Sequence, residues 1–124
     1  MADKKKLTES FRHLMEALKY EKKAQTSPFF AAGIAKCFEN CFEHAWKYLK
    51  QTVNEQGMEV YSPREAVKEA ARLGLIEDLE LWLGFIEDRN LSVHNYLGVS
   101  DEDYLQTIRD FSTEVKKLLS SKPS

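Results

Sequence analysis

Arg89, His94 and Tyr96 stand within one eight-residue stretch, R-N-L-S-V-H-N-Y, at the end of a strongly apolar segment. Arginine is always charged and offers a planar fork of donors suited to phosphate oxygens. Histidine takes or gives a proton near neutral pH with little tuning. Tyrosine adds a hydroxyl and a ring on which a base can stack. An arginine to hold charge and an imidazole to move protons are what phosphate chemistry without a metal requires, so Arg89 and His94 are the candidate catalytic pair. Each has a plainer alternative. Arg89 can pair with Asp88, Glu87 or a facing acid, His94 can settle a helix end, and Tyr96 can be an interface aromatic.

Spacing constrains how the pair can work. At roughly 100° per residue, positions 89 and 96 lie within about 20° of each other, whereas 89 and 94 are about 140° apart. One straight helix cannot aim both at a single phosphate. Either the helix breaks near Ser92, or a second copy of the chain supplies the missing group. Two-fold symmetry, which brings the same patch of both chains together, favours the second copy.

The elements that must position this stretch are all helical. Apolar residues recur at three- and four-residue intervals, predicting helices over about 8–25, 28–54, 63–73, 77–96 and 101–120. The stripe of the first is Leu7, Phe11, Leu14, Met15 and Leu18, with His13 on the polar side. Ser27 and Pro28 open the second, with Gly57 as its stop. Its apolar residues, from Phe30 to Val53, cover about half its circumference. That breadth means either core on one side and a partner chain on the other, or a helix deep in its own bundle. S-P-R-E (Ser62 to Glu65) opens the third, short helix as a capping box, and Gly74 ends it. The fourth carries Leu79, Trp82, Leu83, Ile86, Asn90 and Val93 on one broad face, with Phe85, Arg89 and Tyr96 towards its edge. Ser100 caps the fifth, whose stripe runs from Tyr104 to Leu119. No segment alternates with period two, and no hairpin turn appears. The fold class is all-α: an antiparallel four-helix up-and-down bundle with one additional short helix, in a single domain over residues 1–124.

Composition narrows the function. The 124 residues are 43% hydrophobic and 31% charged with a net charge of −2, which excludes a general DNA-coating protein with a broad basic face. The lysine clusters at 4–6 and at 116 and 117 read as solvated. No run approaches a membrane span, and the N-terminus lacks the apolar centre of a secretory signal, so a cytoplasmic protein is expected. Cys37, Cys41 and His44 share a helix face in C-x₃-C-x₂-H spacing. Three ligands on one straight helix rarely close a tetrahedral shell and no fourth is evident, so the thiols read as small packed hydrophobes and His44 as a boundary residue. There is no Gly-rich phosphate loop, no nucleotidyltransferase motif and no cofactor signature.

R-N-L-S-V-H-N-Y matches the R-x₄-H-x-Y signature of the HEPN domain, an all-helical nucleotide-binding bundle. F-E-H-A-W-K-Y-L-K (Phe42 to Lys50) and S-P-R-E-A-V-K-E-A-A-R-L-G-L-I (Ser62 to Ile76) resemble the branch called nucleotidyltransferase substrate-binding proteins. The resemblance spans most of the chain. It implies a homodimer with the motif at the two-fold cleft, and a partner, a minimal nucleotidyltransferase encoded nearby. It also implies membership of a two-gene toxin–antitoxin module, with a metal-independent RNase site at the cleft. Carried over residue by residue, it places Arg89 and His94 at the RNA site, Asn90 at a polar position beside them, and Tyr96 as the hydroxyl to which the partner can transfer a nucleotide. Glu43, Trp46 and Lys47 match the second-helix pattern, where only a structural role is evident. The alternative implied by the branch's name is a non-catalytic subunit that presents a nucleotide or polynucleotide to the transferase.

Overall fold

The computed structural model describes residues 3–94 and 102–120, with residues 91–94 described by their backbone. Among these residues the secondary structure is entirely helical: α1 (Lys5–Leu18), α2 (Glu21–Ala24), α3 (Pro28–Glu55), α4 (Pro63–Arg72), α5 (Leu79–His94) and α6 (Glu102–Ser120). The long helices α1, α3, α5 and α6 form the bundle, and α4 packs against α3 and α5.

The first predicted helix is divided. α1 starts earlier than Thr8 because the Asp3 carboxylate accepts the Lys5 N–H at 2.9 Å. It stops at Leu18, where the N–H groups of Lys19 and Tyr20 turn to the carbonyls three residues back, at 3.2 and 3.0 Å. That tighter turn redirects the chain into α2, buries Ala24 and stacks the Tyr20 ring on Phe30 at 5.5 Å. Met15, expected on the core stripe, is exposed, and buried Ser10 takes a place on it, its hydroxyl donating to the Leu7 carbonyl.

α3 is the central element. It touches α1, α2, α4 and α5, so most of its wide apolar arc is covered within the chain. Pro28 occupies its first turn, but Ser27 caps by backbone position alone, without a side-chain bond. At its other end Gly57, at φ +96°, lets Gly57 N–H reach Asn54 O and Met58 N–H reach Val53 O. These two bonds satisfy carbonyls that the helix leaves open, in the Schellman arrangement. Gly74, at φ +79°, ends α4 the same way, with Leu75 N–H on Ala70 O at 2.8 Å. Ser62 caps α4 as predicted, its hydroxyl accepting the Glu65 N–H at 3.2 Å. The Glu65 carboxylate closes the box differently, accepting from the Ser62 hydroxyl itself.

Rings hold the centre of the bundle. Phe111 of α6 lies 5.3 Å from Phe38 and Phe85 and 5.8 Å from Phe42. Trp82 packs edge-on to Phe85 at 5.3 Å. Aromatic pairs at such distances add about 0.5–1.5 kcal/mol each beyond the area they bury. This cluster joins α3, α5 and α6, and therefore fixes the rotation of α5 about its axis.

Candidate nucleotide site on α5

α5 begins where the Asp78 carboxylate accepts the Leu81 N–H at 3.1 Å. Its buried stripe is centred on Trp82, Phe85 and Ile86. This corrects the face drawn from periodicity: Phe85 belongs to the core, whereas Asn90 is exposed. The reason is the aromatic cluster, which draws Phe85 inward and turns the helix so that Asn90 faces out.

Arg89 lies one turn beyond Phe85 and Ile86, where the buried stripe meets the surface. Its side chain keeps 29% of its exposure. The guanidinium meets a facing acid, Glu43 of α3, with Nη2 3.3 Å from Oε2. Nη1 donates to the Asn90 side-chain oxygen, also at 3.3 Å. Both distances exceed the 2.7–2.9 Å usual for tight charge-assisted bonds. The contacts orient the planar group without a two-point clamp on the carboxylate.

Glu43 is itself held on both oxygens. Trp46 Nε1 donates to Oε2 at 3.1 Å, and Lys47 Nζ lies 3.2 Å from Oε1. Burial pushes the Glu43 carboxyl upward in pKa. The hydrogen bonds from Trp46 and Lys47, with the charges of Lys47 and Arg89, outweigh burial and hold it below the usual value. Glu43 is thus an ionised anchor for Arg89. The sequence contains one signal for this, the i, i+3, i+4 spacing of Glu43, Trp46 and Lys47 on a helix. Nothing local ties Glu43 to an arginine 46 residues away.

The backbone of α5 is helical through Ser92 to His94. There is no break at Ser92, so positions 89 and 94 stay about 140° apart around the axis and about 7.5 Å apart along it. Of the predicted site residues, the structure brings Arg89 and Asn90 together. The side chain of His94, and Tyr96 entirely, lie outside the described residues. His13 is exposed and His44 half-buried, where each was expected. Cys37 and Cys41 are free thiols; burial raises both, Cys41 to about 12. Among the described residues no group of three or more His, Cys, Asp or Glu is placed to hold a metal, and no helix is long and apolar enough to cross a membrane.

A protein-family model described as nucleotidyltransferase substrate binding protein like matches residues 2–122. A curated protein of Haemophilus influenzae, described as a probable ribonuclease HepT, is 29% identical over 93 residues. That match covers 71% of this chain and 64% of the relative, so the chain spans less than two thirds of the relative's length. A crystal structure of a Thermus thermophilus protein is similar with a TM-score of 0.68 at 28% identity, over 86% of this chain and 95% of that one. The helical fold, the anchored arginine at the start of R-x₄-H-x-Y and a family match over nearly the whole length agree: this chain belongs to the nucleotidyltransferase substrate-binding protein-like family, a HEPN branch.

Proposed function

We propose that this protein is the HEPN-type RNA-binding member of a pair with a minimal nucleotidyltransferase, and that two copies of the chain form a metal-independent endoribonuclease at their shared cleft. The observation that carries this reading is Arg89, oriented by Glu43 and Asn90 at the boundary between core and solvent. The unbroken helix through His94 supports the shared cleft, because one chain's Arg89 and His94 diverge around the axis.

In this mechanism a neutral His94 takes the proton of a ribose 2′-hydroxyl. The 2′-oxygen attacks the adjacent phosphorus while Arg89 balances the charge growing on the phosphorane oxygens. The P–O5′ bond then breaks, and the partner subunit's His94 protonates the leaving oxygen. The products are a 2′,3′-cyclic phosphate and a 5′-hydroxyl. Tyr96 is the hydroxyl through which the transferase partner switches the site off: its oxygen attacks the α-phosphorus of a nucleoside triphosphate, pyrophosphate leaves, and the phenol gives up its proton as the nucleotidyl ester forms. This pairing, one protein toxic and the other restraining it, makes the couple a toxin–antitoxin module.

The test is cleavage of bulk RNA in the presence of a chelator. Wild type cleaves, and His94→Ala, with its helical content unchanged, is slower by about 10²–10⁴. Equal cleavage by the two proteins removes the mechanism. A wild type that binds RNA without cleaving it establishes the second reading, favoured by the family description: a subunit that presents substrate to the transferase.

A further inference from the structure

A cavity of about 490 Å³ opens between the first turn of α1 and the C-terminal half of α3, outside the Arg89 contacts described above. Lys6 of α1 and Lys47 and Lys50 of α3 line it, together with the half-buried rings of Trp46 and Tyr48. Asp3 is the one acid among its described lining residues. Lys4 adds a further cation at the rim, its Nζ 5.9 Å from the centre of the Tyr48 ring. The lysine run at 4–6 is therefore not simply a solvated chain end. The start of α1 delivers Lys4 and Lys6 to the face of α3 that carries Lys47 and Lys50.

The cavity is linked to the arginine through two of its lining residues. Trp46 and Lys47, which hold the two oxygens of Glu43, are the same residues that line it. In a chain of net charge −2, a local excess of lysine concentrates anions at one place. Its volume falls within the roughly 300–1,000 Å³ of clefts that take small ligands or a few nucleotide units. Lysines alone would suit any acidic surface. Lysines interleaved with ring faces suit unpaired bases on a phosphodiester backbone, where phosphates meet the cations and bases stack on the rings.

We propose that this α1–α3 cavity is a groove for single-stranded RNA that leads the strand to Arg89. The inference rests on the RNA reading of the α5 site and adds to it a second, separate contact surface. Lys6 and Lys50 neutralise backbone phosphates, Lys47 serves both the groove and Glu43, and Tyr48 offers a stacking platform.

The probe is a fluorescein-labelled 2′-O-methyl RNA of about 12 nucleotides, a length that spans one single-strand site. It has no 2′-hydroxyl, so binding is read by anisotropy without cleavage. The double variant Lys6→Ala, Lys50→Ala is expected to bind about tenfold or more weakly, with the slope of log affinity against log salt shallower by about 1.4. Tyr48→Leu weakens binding with the slope unchanged. The control Lys22→Ala, Lys23→Ala removes the same charge from α2, about 27 Å away along α3, and binds as wild type does. The groove is refuted if the Lys6, Lys50 variant binds RNA as wild type does, or if the control loses as much. Unchanged RNA binding with loss of binding to polyglutamate would reassign the surface to an acidic protein. Cleavage by wild type alongside unaffected binding in the groove variant overturns the groove alone, whereas a wild type that neither binds nor cleaves RNA overturns both.

Discussion

Glu43→Gln isolates what one carboxylate does for the site, because glutamine keeps the size and can still accept from Trp46 Nε1. The substitution removes the charge that faces Arg89 and Lys47. Lys47 is well exposed, so its i, i+4 pair contributes about 0.3–0.5 kcal/mol. The Arg89 pair is more sheltered, with 29% and 34% of the two side chains exposed, and its 3.3 Å separation is long. Its contribution therefore falls between an exposed pair and a buried charge-assisted bond, about 1 kcal/mol. Together the loss is about 1–2 kcal/mol, which lowers the melting temperature by about 3–8 °C for a domain of this size. The pH dependence carries a definite sign. The Glu43 pKa is lowered in the folded protein, so its stabilisation is complete above the ordinary carboxylate range, about pH 4.3, and is lost as pH falls through the lowered value. Thermal unfolding followed by circular dichroism at pH 7 and again near pH 2 should show a gap between wild type and variant that closes in acid. A variant as stable as wild type at neutral pH, or a gap that persists in acid, would refute the anchoring of Arg89 by charge. With Arg89 no longer held, RNA cleavage should also drop by about tenfold, equivalent to about 1.4 kcal/mol in the barrier.

The same substitution at two glycines should have opposite signs. Gly74→Ala forces a side chain into φ +79° and costs about 1 kcal/mol, although nothing lies within 4 Å of the added carbon. Gly33→Ala, in the interior of α3 with equally open space and an ordinary φ, should gain about 0.5–1 kcal/mol; denaturant midpoints of the two variants check both. Cys41, fully buried with its thiol pushed up to about 12, should resist a disulfide reagent at pH 8 until the protein unfolds. Cys37, half-buried in apolar surroundings and also raised, should react slowly in the folded state, and rapid labelling of both thiols would contradict the packing of α3 against α1.

Much of the fold is readable in the sequence because it depends on local rules. Pro28, Ser62, Gly57 and Gly74 mark helix ends through their own backbone preferences, and the structure ends α3 and α4 at those glycines. The departures have tertiary causes. Nothing in residues 8–25 alone marks the break at Lys19, which depends on Tyr20 finding Phe30. Periodicity misplaces the rotation of α5 by a fraction of a turn, because a pattern read along one helix cannot see Phe111 of α6 drawing Phe85 inward. The site divides in the same way. Arg89 is legible as a surface-edge cation from its place beyond an apolar run. Its anchor is not, since the partner lies 46 residues earlier on another helix. The lysines at 4–6 look inert in the sequence for the same reason: only the packing of α1 along α3 sets Lys4 beside the Tyr48 ring and Lys6 on the wall of the same cavity.

The central claim is that two chains complete one RNA-cleaving groove, each giving an arginine and an imidazole. Subunit mixing tests it most directly. Wild type and His94→Ala are exchanged at a constant total concentration, and chelator-resistant RNA cleavage is measured against the wild-type fraction. If both histidines serve one groove, only dimers with two wild-type chains are active, and an equal mixture retains about a quarter of full activity. A linear decline, with about half the activity at the same point, would show that each site needs only one histidine and would contradict the account.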